Sequence, residues 1–393
     1  FFQADDGIRD RSPSRGLGDV YKRQAMDKEK EYKTKQRVVV AMSGGVDSSV
    51  AAYLLTQQGF DVLGVTMRLW AAEDGVVSSD HQGCCSIEDI EDARRVCQQL
   101  SIPHYVINVE QEFKSHVIEY FLKQYESGRT PHPCIACNDK IKFDFLLRRS
   151  LAWDADFIAT GHYARIQFEQ GQYQLLRGID SQKDQSYVLF GLGQTQLSRI
   201  LLPVGSFDKN SIRDFAIQAG LHLANKADSQ EICFIPQGTY HDFLNKHSES
   251  IPGDLVDKNG KVLGQHPGVG HFTIGQRRGI GLASAEPLFV TKISAESREV
   301  VVGPEHELFQ TGILVESVNY ITDEIPHRPI KIQAQIRYNS KAKPALLMPS
   351  GNGAELWFEE PQKAITPGQA AVFYVDEKVI GGGYIRNPIP SEN

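Results

Sequence analysis

Residues 38–55 read VVVAMSGGVDSSVAAYLL: an apolar β-branched run, a turn with two adjacent glycines, then an Ala/Leu-rich stretch of helical character. No other feature restricts the fold as much. A strand that feeds a glycine turn and passes directly into a helix is the opening unit of a parallel sheet with crossover helices. The same geometry gathers free backbone N–H groups and the positive end of a helix dipole at one point, which suits a phosphate. The turn differs from the kinase-type loop, where Gly-Lys-Ser/Thr sets a lysine on the β- and γ-phosphates. Here Val46-Asp47-Ser48-Ser49 stands in that place, and no lysine follows.

The rest of the first half supports an α/β reading. RVVVAM, DVLGVTMRLW, HYVINV and DFIATGHYAR read as strands. SSVAAYLLTQQG and EDIEDARRVCQQLSI carry helical spacing between them, and LRRSLAWDA leads into the last strand. This alternation predicts a doubly wound parallel sheet. After about residue 235 the texture changes to Gly-, Pro- and Asp-Lys-Asn-Gly-rich sequence, which predicts a small β-rich middle domain. From about 310, GILVESVNYI, KIQAQIRYN, AELWFEE, QAAVFYV and KVIGGGYI are short strands at barrel-like spacing. The expected organisation is an N-terminal domain over 36–235, a middle domain over 236–308 and a C-terminal β-barrel over 309–390. A chain of 393 residues is long enough for that number of cores.

Residues 1–25 are set apart from fold reasoning. They contain Arg and Ser as a transit peptide would, but Asp5, Asp6 and Asp10 are wrong for one. The stretch resembles translated adapter read-through, which makes Met26 the expected start. A formal charge of −7 argues against a uniformly basic nucleic-acid coat, although one basic face suffices to bind RNA. No apolar run reaches the ~18 residues of a membrane span, so no membrane partner is expected and the location is read as cytoplasmic. The six cysteines, Cys84, Cys85, Cys97, Cys134, Cys137 and Cys233, fit a reducing compartment in which thiols serve metals or catalysis.

The string SGGVDSS resembles the pyrophosphatase loop of the ATP pyrophosphatase (PP-loop) group, whose members cleave ATP between the α- and β-phosphates and transfer AMP to a substrate oxygen. The ordered set RTPHPCIACNDKIKF (129–143), ATGHYAR (159–165), KDQSYVL (183–189), DSQEICFI (228–235), FTIGQRRGIGL (272–282) and IRYNS (336–340) narrows the likeness. Together these resemble the tRNA-specific 2-thiouridylase family, from about residue 36 to 387.

That resemblance implies a difficult substitution, the replacement of the 2-oxo group of a wobble uridine by sulfur. Adenylation turns the oxygen into a leaving group, so that one hard step becomes two easier ones. The resemblance implies ATP binding by Ala41, Met42, Ser43, Gly44, Gly45, Val46, Asp47 and Ser48, with Met67 on the adenine side and Gly161 at close approach on a later strand. Mg2+ is expected on the phosphates, with no protein ligand assigned. Cys233 is implied to accept a persulfide from a sulfur-donor protein, and Cys137 either attacks as a nucleophile or releases the sulfur by forming a disulfide with Cys233. Either role needs an accessible thiolate, for which Lys140 and Lys142 are candidate cations. The tRNA contacts implied are His132, Pro133 and Cys134 at the target base, then His162, Lys183, Asp184, Gln185, Arg337, Tyr338 and Gln369. The Gln276-Arg277-Arg278-Gly279 turn is a further candidate backbone contact.

Without the resemblance, plainer readings hold. Met67 reads as a core side chain, Lys183-Asp184-Gln185 as a solvated loop and Arg337-Tyr338 as an exposed strand end. Cys134-Ile-Ala-Cys137 is a C-x-x-C that by itself suggests zinc or redox chemistry, but adjacent Cys84 and Cys85 do not make a second zinc knuckle, and no metal ligand is assigned. Cys134, Cys137 and Cys233 are enough thiols for an iron–sulfur cluster, which leaves an iron–sulfur-dependent tRNA thiolase as an alternative. Two others are a PP-loop synthetase acting on a small carboxylic acid and a non-catalytic RNA-binding protein with a vestigial nucleotide fold.

Overall fold

The computed structural model describes residues 35–69, 87–228, 232–235, 240–248 and 250–389. Cys84 and Cys85 lie outside the described residues. The apolar run after residue 36 forms β1 (Arg37–Ala41), flanked by β2 (Asp61–Arg68), β3 (His104–Asn108), β4 (Phe157–Ala159) and β7 (Ile200–Leu201) in the order β3-β2-β1-β4-β7. Every pairing in this sheet is parallel. Val38, Val39 and Val40 are fully buried, as a strand covered on both faces requires. The chain winds outward from β1 through β2 to β3, then returns to the other side of β1 as β4. That reversal creates a topological switch point at the carboxyl ends of β1 and β4, where open α/β sheets bind their ligands.

One expectation is corrected here. DFIATGHYAR, read as one strand, is two: β4 ends at Ala159, and β5 (Ala164–Glu169) pairs with β6 (Gln172–Arg177) instead of continuing the parallel sheet. The break falls at Thr160-Gly161-His162-Tyr163, where the chain passes over the glycine loop. Gly161 has no room for a side chain there, because a Cβ would come within 2.7 Å of the backbone of Asp47 and Ser48.

The middle of the chain forms a small sheet ordered β10-β11-β8-β9 from β8 (Gly253–Val256), β9 (Val262–His266), β10 (Phe289–Ser294) and β11 (Glu299–Gly303). The last part closes into a barrel of β12 (Phe309–Tyr320), β13 (Ile330–Gln335), β14 (Lys343–Ser350), β15 (Gly353–Lys363), β16 (Ala370–Val375) and β17 (Lys378–Ile389). Its order is β12-β15-β14-β13-β16-β17, and β12 pairs again with β17, so the ring has no free edge. The β5–β6 hairpin adds to the barrel through β17. No helix of the described residues is long and apolar enough to cross a membrane.

Candidate active site

The glycine loop is held by its own residues. The helix Val46–Gln57 starts from Gly45 in extended conformation, and the Ser48 and Ser49 hydroxyls both donate to the Gly45 carbonyl, at 3.1 and 2.8 Å. The Ser43 N–H donates to Ser48 Oγ at 3.2 Å. Gly44 has φ +71°, and a Cβ there would meet the Asp89 carbonyl. Backbone amides of the first helical turn have no intrahelical acceptor, so a turn shaped in this way presents donors to an anion. Ala41, Met42, Ser43, Gly44, Gly45, Val46, Asp47 and Ser48 thus run from the end of β1 through the loop into the helix, with Gly161 packed across it. Met67 sits at the carboxyl end of the neighbouring β2, 8% exposed and packed in the core, which is also what the plain reading of that residue anticipates.

Two lysines far away in sequence supply the cations that the loop lacks. Lys209, at the start of the helix Lys209–Gln218, donates to both oxygens of Asp47 at 2.8 and 3.0 Å and pairs with Asp228 at 2.7 Å. Its side chain is 10% exposed. Lys226 donates to the Gly44 carbonyl at 2.9 Å and to Asp89 and Asp92, each at 2.7 Å. Burial opposes ionisation of Asp228, but hydrogen bonds from Lys183 and Lys209 outweigh it and hold the carboxyl below its usual range. Tyr163 donates its hydroxyl to Asp47 at 2.7 Å; burial, then the Asp47 charge, pushes its phenol upward, so it stays a donor. Lys209, Lys226, Asp228, Tyr163, Asp89 and Asp92 were not assigned from sequence. Lys209 and Asp47 are 162 residues apart, and no local pattern announces such a pair.

The residues linked to tRNA by resemblance fall in two groups. His132, Pro133 and Cys134 begin a helix over 133–150 whose middle, Cys137–Phe145, is a π-helix. His132 lies against Tyr338 at 5.6 Å between ring centroids, just beyond β13 of the barrel. Gln369 donates to the Thr130 carbonyl at 2.9 Å, Arg337 donates to the Lys363 and Ala364 carbonyls, and Tyr338 hydrogen-bonds Gln185. These residues, together with Gln185, therefore meet where the segment before Cys134 abuts the barrel. Burial holds the His132 imidazole down to about 4, so its ring is neutral near pH 7.

Lys183, Asp184 and His162 lie elsewhere. Lys183 pairs with Asp228 at 2.7 Å, which ties it to the ion network of the glycine loop. Asp184 accepts from Arg177 at 2.7 Å and from the Gly178 and Ser186 amides, a capping role in a tight turn, rather than lying in the solvated loop that the plain reading anticipates. His162 is 7% exposed and its ring nitrogen bonds the Thr160 hydroxyl at 2.7 Å. Burial, then Lys142, holds it well below the ordinary imidazole range.

Cys137 is buried at 7% exposure, Cys134 is exposed and Cys233 is intermediate. Cys137 belongs to the large core beneath the parallel sheet and Cys233 packs against the same core. His132 Nδ1, Asn138 Oδ1 and Asp139 Oδ1, which flank Cys137, are buried and make no hydrogen bond among the described residues. Among the described residues no group of three or more His, Cys, Asp or Glu side chains is gathered as for a metal ion. Cys134, Cys137 and Cys233 as placed therefore do not fit a cluster. Cys97 is fully buried, and burial pushes its thiol up to about 12, so it is inert.

Comparison with known proteins fixes the family. A model described as the tRNA methyl transferase HUP domain matches residues 36–237, one described as the tRNA methyl transferase PRC-barrel domain matches 241–304, and one described as the aminomethyltransferase β-barrel domain matches 310–385. The tRNA-specific 2-thiouridylase MnmA of Clostridium perfringens is 48% identical over 357 residues, covering 90% of this chain and 99% of that protein. The chain belongs to the tRNA-specific 2-thiouridylase family. A second 2-thiouridylase, from Carboxydothermus hydrogenoformans, is 49% identical over 357 residues, covering 89% of this chain and 98% of that protein. A solved 4-thiouridine synthetase–RNA complex with bound ATP aligns at 17% identity over 54% of this chain and 50% of that chain, with a TM-score of 0.33.

Proposed function

We propose that this 2-thiouridylase-family chain is an ATP-dependent tRNA-uridine 2-sulfurtransferase that acts at the wobble position. The uridine 2-oxygen attacks the α-phosphorus of ATP, the bond to the β-phosphate breaks, pyrophosphate leaves and the ring loses its N3 proton. Sulfur at the hydrosulfide level then reaches C2, the C–O bond breaks, AMP departs and a proton returns to N3, which leaves 2-thiouridine. The sulfur arrives as a persulfide on Cys233, loaded by a donor protein in the cytoplasm. Either Cys137 attacks the Cys233 sulfur, expelling the hydrosulfide that adds at C2 and forming a disulfide that an external dithiol reopens, or Cys137 displaces AMP to form a C2–S bond and is itself displaced by hydrosulfide that an external dithiol releases from the Cys233 persulfide. On this reading the loop from Ala41 to Ser48 binds the phosphates with Gly161 against it, Met67 faces the adenine, and Mg2+ accompanies the nucleotide. His132, Pro133 and Cys134 meet the reacting base, and His162, Lys183, Asp184, Gln185, Arg337, Tyr338 and Gln369 serve the tRNA.

The observation that carries this reading is the combination of a lysine-free glycine loop at the switch point of the parallel sheet with two cysteines, Cys137 and Cys233, against one core. An amide-forming synthetase of the same group has no use for that thiol pair. Incubation with tRNA, ATP and a sulfide source, followed by nucleoside mass spectrometry and nucleotide chromatography, tests it. The expected result is 2-thiouridine with AMP in equal amount; ADP in place of AMP, or AMP formed only with a small carboxylic acid, overturns it.

A further inference from the structure

The glycine turn contains one peptide whose direction the local chain does not fix. Gly44 and Gly45 flank it, Gly44 at φ +71° and Gly45 extended at φ −97° and ψ 165°. Glycine populates positive and negative φ about equally, so neither residue stops this peptide plane from turning over. A trans peptide points its C=O and N–H to opposite sides, and the Gly45 N–H donates to no acceptor among the described residues. Turned one way, the plane offers that N–H to a phosphate; turned the other way, it offers a carbonyl oxygen, which repels one.

Lys226 decides between the two. Its ammonium donates to the Gly44 carbonyl at 2.9 Å and to Asp89 Oδ1 and Asp92 Oδ2, each at 2.7 Å. An ammonium has three N–H donors, and these acceptors use all of them. In this arrangement no donor remains for a phosphate, so Lys226 acts on the loop and not on the nucleotide. An ion pair with the two acids does not need the third partner, because the Gly44 carbonyl carries no charge.

The lysine is held by a frame around the turn. Asp89 and Asp92 stand three residues apart on the helix Ile87–Gln99 and so share a face. Asp92 also hydrogen-bonds the His222 ring at 2.9 Å, and the Gln99 amide donates to the Ala219 and Gly220 carbonyls at 2.9 and 3.0 Å. The Lys226 N–H donates to the Leu223 carbonyl at 2.8 Å. Helix and 219–226 segment are therefore tied together at both ends, with Gly44 seated on the Asp89 backbone where a Cβ has no room.

We infer that Lys226 is a positioning residue, which holds the Gly44 carbonyl toward the Asp89–Asp92 face so that the Gly45 N–H is left facing the phosphates of ATP. The inference rests on the proposed function for ATP as the ligand and adds to that site a residue that the resemblance does not assign.

Two variants test it in the full chain. Lys226→Met removes the donor. Lys226→Met combined with Asp89→Asn and Asp92→Asn also removes the carboxylates that would otherwise lose their cation, and it carries the test where the single variant fails to fold by circular dichroism. In both, the dissociation constant for ATP, read by calorimetry, is expected to rise by about tenfold or more, the scale of one lost hydrogen bond to a charged group. The combined variant separates direction from charge: it loses one positive and two negative charges, which makes the site more attractive to an anion. In protein made with isotope-labelled glycine, ATP is expected to move the Gly45 amide resonance of the parent and to leave it in place in both variants. Parental ATP affinity in Lys226→Met, affinity at or above the parent's in the combined variant, or a Gly45 resonance that answers ATP in the variants as in the parent, overturns the positioning role. A parent chain that binds no ATP is a different result, which strikes first at the proposed function and takes this inference with it.

Discussion

The Lys209 ammonium lies 2.8 Å from the Asp47 carboxylate, inside the helix turn that follows the glycine loop. Through Asp228 it is linked to Lys183, so acids and bases alternate from the loop to the segment that leads to Cys233. Lys209→Met leaves Asp47 and Asp228 without their shared cation. Removal of one partner from a buried pair costs about 3–5 kcal/mol. Because the Lys209 side chain retains 10% exposure, a loss near the lower end, about 3 kcal/mol, is expected in urea unfolding. Pyrophosphate release from ATP in the presence of tRNA is expected to fall at least a hundredfold; near-parental release would mean that Lys209 serves stability alone.

Gly161 tests the loop from the other side. In Gly161→Ala the added methyl would press on the Asp47–Ser48 backbone at 2.7 Å, with no flexible side chain to yield. Affinity for ATP is expected to drop more than tenfold by calorimetry, while the barrel surface and tRNA affinity remain as in the parent. Parental ATP affinity would place the nucleotide away from this turn.

The thiols separate from the nucleotide step. Cys137→Ser and Cys233→Ser are each expected to abolish 2-thiouridine formation with ATP affinity unchanged. Product from both variants, measured by nucleoside mass spectrometry, would refute the assignment of either cysteine.

Asp139 gives a pH signature. Burial pushes its carboxyl up to about 7, against an ordinary value near 4 in the unfolded chain. Since the native state holds the proton more tightly than the unfolded state, the stability tied to that proton is complete below about pH 4. It declines as pH rises toward 7 and is gone above it. Asp139→Asn, which stays neutral, is therefore expected to unfold at the same urea concentration as the parent at pH 4 and to be more stable by about 4 kcal/mol at pH 8. Parallel stability curves across that range would show that the carboxyl ionises freely in the fold.

Much of the architecture was legible because its signals are local. The Val38–Val40 run, the Gly44-Gly45 turn and the helix after it lie within one short stretch, and each follows from side-chain shape or backbone freedom there. The barrel strands were visible by their spacing, although β14, with Pro344 and Pro349 near its ends, was missed. The split of DFIATGHYAR was not visible, because residues 157–169 are continuously compatible with extended chain and only contact of Gly161 with the distant loop ends the strand. Lys209 and Lys226 were illegible for the same reason. A charged residue near a helix start or a turn is usually solvated, and their meaning comes from Asp47 and Gly44, which folding alone brings within reach.

The β5–β6 ribbon has one further consequence. It leaves the chain between two strands of the parallel sheet, yet Leu175 and Leu176 register against Val379 and Lys378 of the barrel, and the Arg177 guanidinium sits 3.5 Å over the Tyr374 ring. The nucleotide-handling and barrel portions are thus not interchangeable cassettes. A chimaera of two homologues needs its ribbon and its barrel from one parent, even though the ribbon is encoded amid the other parent's half.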